Sequence, residues 1–182
     1  MLVRGISMAK NTKKQISIDE NKVIEELKKK ANNSINEIAK KCNFSRQKVW
    51  RIIKNLEKNN TIWGYTVTID EEKQGKNIYF LLLKRKAIPV SKEAINNIVS
   101  REIDDHIANI GCRMINSIYT NGPFDWIIMF TAPNLNSAKK VNELFRSRYN
   151  DIITETIILE SIFPAKINGV VNPDIEKLAN FF

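Results

Sequence analysis

Two closely spaced helix starts limit what this chain can fold into more than any other feature. Ser34-Ile35-Asn36-Glu37 has the capping-box form: the serine hydroxyl accepts from an orphan backbone N–H, and the glutamate three residues on accepts from the serine's own N–H. Ser45 opens a second start, with Phe44 and Val49 at the two positions of a hydrophobic staple. The spacing predicts a short helix, Ile35 to Lys41, then the turn Cys42-Asn43-Phe44 and a longer helix from about Arg46 to Lys58. Two capped helices joined by so short a turn make a helix-turn-helix.

At about 100° per residue, Val49, Ile52, Ile53 and Leu56 fall on one side of the longer helix and form its core face. Gln47, Arg51, Lys54 and Lys58 form a stripe on the opposite side, flanked by Arg46 and Lys48, with no acidic residue expected to interrupt it. Glutamine and arginine can make bidentate contacts to adenine and guanine edges in the major groove, while lysine neutralises phosphate. The candidate DNA-contacting set is therefore Arg46, Gln47, Lys48, Arg51, Lys54 and Lys58, together with the capping residues Ser34 and Ser45. Trp50, at the edge of the core face, is expected to pack.

An earlier helix is expected over about Ile18 to Ala31, with Val23, Ile24 and Leu27 at helical spacing. Its Lys28-Lys29-Lys30 run suits the negative end of the helix dipole and reads as a solvated last turn. After Asn59-Asn60, where asparagine can take the left-handed conformation, Trp63, Tyr65, Val67 and Ile69 alternate with polar or small residues. That alternation predicts a half-buried strand, either a wing of the helical domain or the link out of it.

Charge separates the two halves of the 182-residue chain. Its formal net charge is +9, with 29 Lys+Arg against 20 Asp+Glu. Residues 1–76 hold 17 basic and 9 acidic residues, whereas residues 77–182 hold 12 and 11. A basic module joined to a near-neutral one follows, and the sign of the first points to a polyanionic partner. The polar stretch Glu71-Glu72-Lys73-Gln74-Gly75-Lys76 marks the join. The domain reading is 17–70 for the helix-turn-helix, 71–77 for a linker, 78–166 for a second domain and 167–182 for a C-terminal extension.

In the second half, Ile78 to Leu83 reads as a buried strand. Pro89-Val90-Ser91 opens a helix with Ile95, Ile98, Val99 and Ile103 on one face. Residues 113–120 and 126–131 are two strands joined through the Asn121-Gly122-Pro123 turn signal. A helix starting at Asn136 or Ser137 and a last strand from Glu155 to Phe163 complete a β-α-β-β-α-β order, the ferredoxin-like pattern. The fold class is α+β: a (winged) helix-turn-helix domain followed by a ferredoxin-like domain. Helices on one face of the sheet leave the other face to be covered, and an identical sheet would do so in a homodimer, placing two recognition helices about a two-fold axis over a palindromic site. In the extension, Asn172-Pro173 suits a helix start, and Ile175, Leu178, Ala179, Phe181 and Phe182 form an apolar set.

No apolar run approaches the roughly 18 residues of a membrane span, and no apolar block follows the basic residues Arg4, Lys10, Lys13 and Lys14 at the start. A cytoplasmic protein is expected, with translation beginning at Met1 or Met8. Cys42 and Cys112 have neither metal-ligand nor disulfide-framework spacing. No cofactor-binding motif is present, so no cofactor is expected.

These residues resemble the leucine-responsive regulator/AsnC family, the feast/famine regulators. The resemblance runs from about Ser17 to Lys166. It rests on Ser34-x-x-Glu37-Ile38-Ala39, Phe44-Ser45 through Leu56-Glu57, Ile62-Trp63-Gly64-Tyr65, Gly75 and Gly122-Pro123-Phe124-Asp125-Trp126. Ile52 stands where the family commonly has arginine, and Asn60 stands in place of its usual glycine. The resemblance implies a DNA-binding domain, then a regulation-of-amino-acid-metabolism domain that dimerises, often builds octamers and in many members binds an amino-acid effector. Gly122 and Asp125 correspond to the Gly-x-x-Asp element beside that effector pocket. The function read here is a DNA-binding transcriptional regulator acting on double-stranded promoter DNA, not an enzyme. Two alternatives stand beside it: a haem-pathway decarboxylase-like enzyme on the same plan, whose acid would have to be His106, and an effector-sensing module that does not bind DNA.

Overall fold

The computed structural model describes residues 12–182, and the chain divides into two compact units, the first ending at Thr68 and the second beginning at Ile69. Met8, Arg4 and Lys10, weighed above for the start of the chain, lie outside the described residues.

Three helices build the first unit: α1 (Lys13–Lys29), α2 (Ile35–Cys42) and α3 (Arg46–Lys58). Helix α1 begins five residues before the expected Ile18 and stops short of Ala31. The Thr12 hydroxyl caps it by accepting from the Gln15 amide, and Lys30 is already extended. Both halves of the α2 capping box are made, Glu37 N–H to Ser34 Oγ at 3.2 Å and Ser34 N–H to the Glu37 carboxylate at 2.7 Å. These bonds to Ser34 hold the Glu37 carboxyl below its usual range. Asn43 ends α2 in the left-handed region at φ 55°, and Ser45 Oγ accepts from Lys48 N–H to start α3. Val23, Ile38, Ala39, Cys42 and Val49 are buried at the centre, with Leu27, Ile35, Phe44, Ile52 and Ile53 packed around them.

Asn60 takes the left-handed conformation, φ 58°, that usually calls for glycine. The strand expected over Trp63 to Ile69 is not formed. This segment pairs with no strand among the described residues, and Trp63 is 95% and Val67 79% exposed. Alternation gives a strand only when a neighbouring ladder and a covering layer exist, and neither is present here.

The second unit opens with a 3-10 turn, Glu72–Gln74, over part of the stretch assigned above to a linker; Gly75 ends it at φ 69°. Strand β1 (Asn77–Arg85) follows, then α4 (Lys92–Val99), α5 (Glu102–Asn109), β2 (Arg113–Tyr119), β3 (Trp126–Ala132), α6 (Leu135–Arg148) and β4 (Ile153–Glu160). The sheet order is β2-β3-β1-β4, and every neighbouring pair is antiparallel. This is the ferredoxin-like arrangement, with the first crossover split into two helices.

Several boundaries in this unit differ from the sequence reading. The helix expected to run from Ser91 through Ile103 breaks at Arg101, whose φ is 59°. Its guanidinium bonds both Asp104 carboxylate oxygens at 3.0 Å, so Ile103 is buried from a second helix while Val99 is 71% exposed. Helix α6 begins at Leu135, one residue before Asn136, because Asn134 caps it by accepting from Ser137 N–H at 2.9 Å. Strand β4 starts at Ile153, ahead of the expected Glu155, and ends at Glu160, short of Phe163.

Register assigns the faces. Leu81 lies opposite Ile128 and Ile158, and Leu83 opposite Trp126 and Thr156. Tyr79, Leu81, Leu83, Trp126, Ile128 and Phe130 are buried with Ile103, Ile107, Val141 and Phe145 from the helices. The Trp126 ring meets Phe145 edge-on at 5.2 Å and Tyr149 at 5.4 Å. The alternate residues Phe80, Leu82, Ile118, Ile127, Met129, Ile157 and Leu159 share the opposite face and remain half-buried or exposed.

Beyond β4, a two-stranded hairpin of β5 (Lys166–Ile167) and β6 (Val170–Val171) leads into a 3-10 segment, Ile175–Phe181. Of the expected apolar set, Phe181 packs its ring against Phe163, tilted with centroids 5.7 Å apart, whereas Phe182 is fully exposed. Cys42 and Cys112 are free and buried. None of the described helices is long and apolar enough to cross a membrane.

Candidate nucleic-acid interface

Val49 and Leu56 bury one side of α3, which fixes what the other side presents. Arg46, Gln47, Arg51, Lys54 and Lys58 are all exposed on that side. Among the described residues Arg46, Arg51 and Lys58 have no carboxylate partner. Ser34 and Ser45 are engaged as helix caps.

Lys48 stands apart from the stripe. Its ammonium lies 2.6 Å from the Asp19 carboxylate and 3.8 Å over the Phe44 ring, so it faces α1 rather than open solvent. Asp19 is 4% exposed and also accepts from the Gln15 amide at 2.9 Å. The hydrogen bond from Lys48 holds its carboxyl below the usual range, against burial, which acts the other way.

An acid does reach the stripe. Glu57 sits 2.7 Å from Lys54 and accepts from the Tyr65 hydroxyl at 3.1 Å. The bond from Lys54 lowers the Glu57 carboxyl, and with Lys54 56% exposed this is a pair that a phosphate can replace. The expectation of an uninterrupted stripe is corrected because Glu57 lies three residues from Lys54, within side-chain reach on one face.

Trp50 is outside the buried core and only half covered. It is 51% exposed, and its position on α3 lies between Arg46 and Lys54, one turn to either side. The signal for this was present: Trp50 sits about 60° beyond Ile53 in the direction of the stripe.

In the second unit, the loop from Thr120 to Asp125 closes the β2–β3 hairpin. Asp125 ties it to the end of β1, its carboxylate accepting from Arg85 N–H at 2.8 Å and its own N–H donating to the Leu83 carbonyl at 2.9 Å. Gly122 lies in the same loop in open space. Neither Gly122 nor Asp125 lines the nearby cavity of about 470 Å³; Leu83 and Arg85, which Asp125 bonds, line it with Val90, Ile98, Tyr119 and Trp126 among others. His106 is exposed on α5.

Residues 20–62, which span most of α1 and all of α2 and α3, match the family model described as winged helix-turn-helix DNA-binding. Solved structures match over most of the chain. The leucine response regulatory protein of Mycobacterium tuberculosis superposes with a TM-score of 0.65 at 14% identity, covering 82% of this chain and 94% of that one. E. coli AsnC gives 0.58 at 15%, covering 82% and 94%. This chain has the two-domain fold of the Lrp/AsnC regulators. A transcriptional regulator of Neisseria meningitidis solved as a complex with L-Met shares that Lrp/AsnC-type fold, with a TM-score of 0.62 at 12% identity over 82% of this chain and 91% of that one. No curated protein matches the sequence.

Proposed function

We propose that the protein is a transcriptional regulator that binds double-stranded DNA sequence-specifically through α3, acts as a homodimer on palindromic promoter sites in the cytoplasm, and works by binding rather than catalysis. The observation that carries this reading is the exposed face of α3, where Arg46, Gln47, Arg51 and Lys58 stand together without acidic partners among the described residues. A helix of that composition fits the major groove: arginine and glutamine read base edges, and the lysines neutralise phosphate.

The half-exposed apolar face of the sheet supports the dimer, since an identical face would remove Leu82, Ile127 and Met129 from water. The unpaired extended segment with Trp63 and Val67 exposed supports it too, because strand pairing with a second copy would supply its missing ladder. Higher oligomers such as an octamer are compatible with the same surfaces. For an effector, the loop with Gly122 and Asp125 and the apolar cavity beside it suit a small molecule such as an amino acid with an apolar side chain. The L-Met bound to the Neisseria meningitidis regulator is of that class.

Duplexes enriched from a random DNA pool by the full-length protein test the reading. The expected result is a two-fold-symmetric motif, with Arg51→Ala plus Lys54→Ala lowering both the affinity and the salt slope. No enrichment, or a double variant identical to wild type in both measures, would overturn it.

A further inference from the structure

We infer that Trp50 reads bases from α3 and that the DNA site carries a thymine whose 5-methyl group it contacts. The inference rests on the DNA-binding reading above. Trp50 projects half-exposed from the cationic side of α3, with Arg46 and Lys54 one turn to either side and Gln47 and Arg51 flanking it. Among the described residues the indole stacks on no aromatic ring, lies under no cation and its N–H reaches no acceptor. No ring, cation or hydrogen-bond partner among the described residues thus accounts for the half of this large side chain that stays in water.

Its surroundings select the occupant. A second copy of this face would bring the unpaired Arg46 and Arg51 against their own like charges, whereas a polyanion gains from both and can take Lys54 from its exposed pair with Glu57. Within a DNA duplex, phosphates and most base edges in the major groove are polar; the apolar group there is the thymine C5-methyl. Trp50 also lies in the first half of α3, the part of a recognition helix that meets base edges, while Lys58 at the other end is placed for backbone contact. A methyl buried against the indole stabilises the complex; a uracil or cytosine edge at the same place does not.

Deoxyuridine replaces thymidine without altering base pairing and removes the methyl alone. In the duplexes enriched by full-length protein, replacing each thymidine in turn is expected to locate one symmetry-related pair at which loss of the methyl weakens wild-type binding about fourfold per half-site. Trp50→Ala binds the thymidine and deoxyuridine duplexes equally, yet keeps the salt slope of wild type, a pattern that Arg51→Ala does not share. Trp50→Phe retains part of the discrimination. If wild type senses no methyl at any position, or if Trp50→Ala discriminates as wild type does, the inference fails while the DNA-binding reading stands. If wild type enriches no duplex at all, both fail together. The scan on wild type needs no variant, so a folding defect in Trp50→Ala cannot hide a negative result.

Discussion

Lys48 and Lys54 lie on the same helix and both touch a carboxylate, but the burial of the partner gives them different work. Asp19 is almost wholly buried and Glu57 is not, so removing Lys48 strands a desolvated carboxylate while removing Lys54 releases one into water. Lys48→Ala is expected to lower stability by about 1–3 kcal/mol, read by thermal unfolding. Arg51→Ala is expected to leave the melting curve in place and weaken DNA binding instead. The acid limb follows from the same pair. Because Asp19 is held below its ordinary value in the folded state, its contribution is complete above that ordinary value and is lost as pH falls through the lower folded one. Melting temperature should therefore drop on acidification below about pH 4, and Asp19→Asn should start from a lower plateau and drop less. The charges of α3 were legible from the sequence. The Asp19–Lys48 pairing was not, because it depends on α1 folding back across a helix and a turn.

Among the elements, those with local signals were the ones read accurately. Ser34, Glu37 and Ser45 state where α2 and α3 begin, because a cap is a bond between residues three apart and needs no tertiary context. Ser34→Ala should cost roughly 1 kcal/mol of unfolding free energy, and Ser34→Asp should retain most of it; chemical denaturation of both variants checks this. Helix α1 started early because Thr12 caps a first turn, Lys13 to Ser17, with almost no apolar periodicity. The break between α4 and α5 was invisible because it is made by Arg101 at positive φ, a conformation with no residue signature of its own, and held by the salt bridge to Asp104. The segment from Trp63 to Ile69 has a strand's alternation and no partner strand among the described residues, so its sequence reported a propensity rather than an element.

At the scale of the whole molecule, charge and apolar surface are divided between the units. The first holds nearly all of the excess positive charge, and the second holds the uncovered sheet face. A recognition helix alone contacts half of a symmetric site, so the affinity of the assembly depends on what joins two copies. Adjacent residues of β1 separate this role from folding. Leu81 is fully buried between Ile128 and Ile158, while Leu82, opposite Ile127 and Ile157, points to the other face. Leu81→Lys places a charge in the core and should prevent the second unit from folding. Leu82→Lys leaves that core intact and sets two like charges near each other wherever identical faces meet. Sedimentation is expected to show a dimer for wild type and a folded monomer for Leu82→Lys. Its affinity for a two-half-site duplex should fall by more than tenfold, with affinity for a single half-site unchanged, because the loss is in effective concentration rather than in any contact α3 makes. A Leu82→Lys protein that sediments as a dimer would move the joining surface off the sheet and onto another surface, such as the extended segment around Trp63.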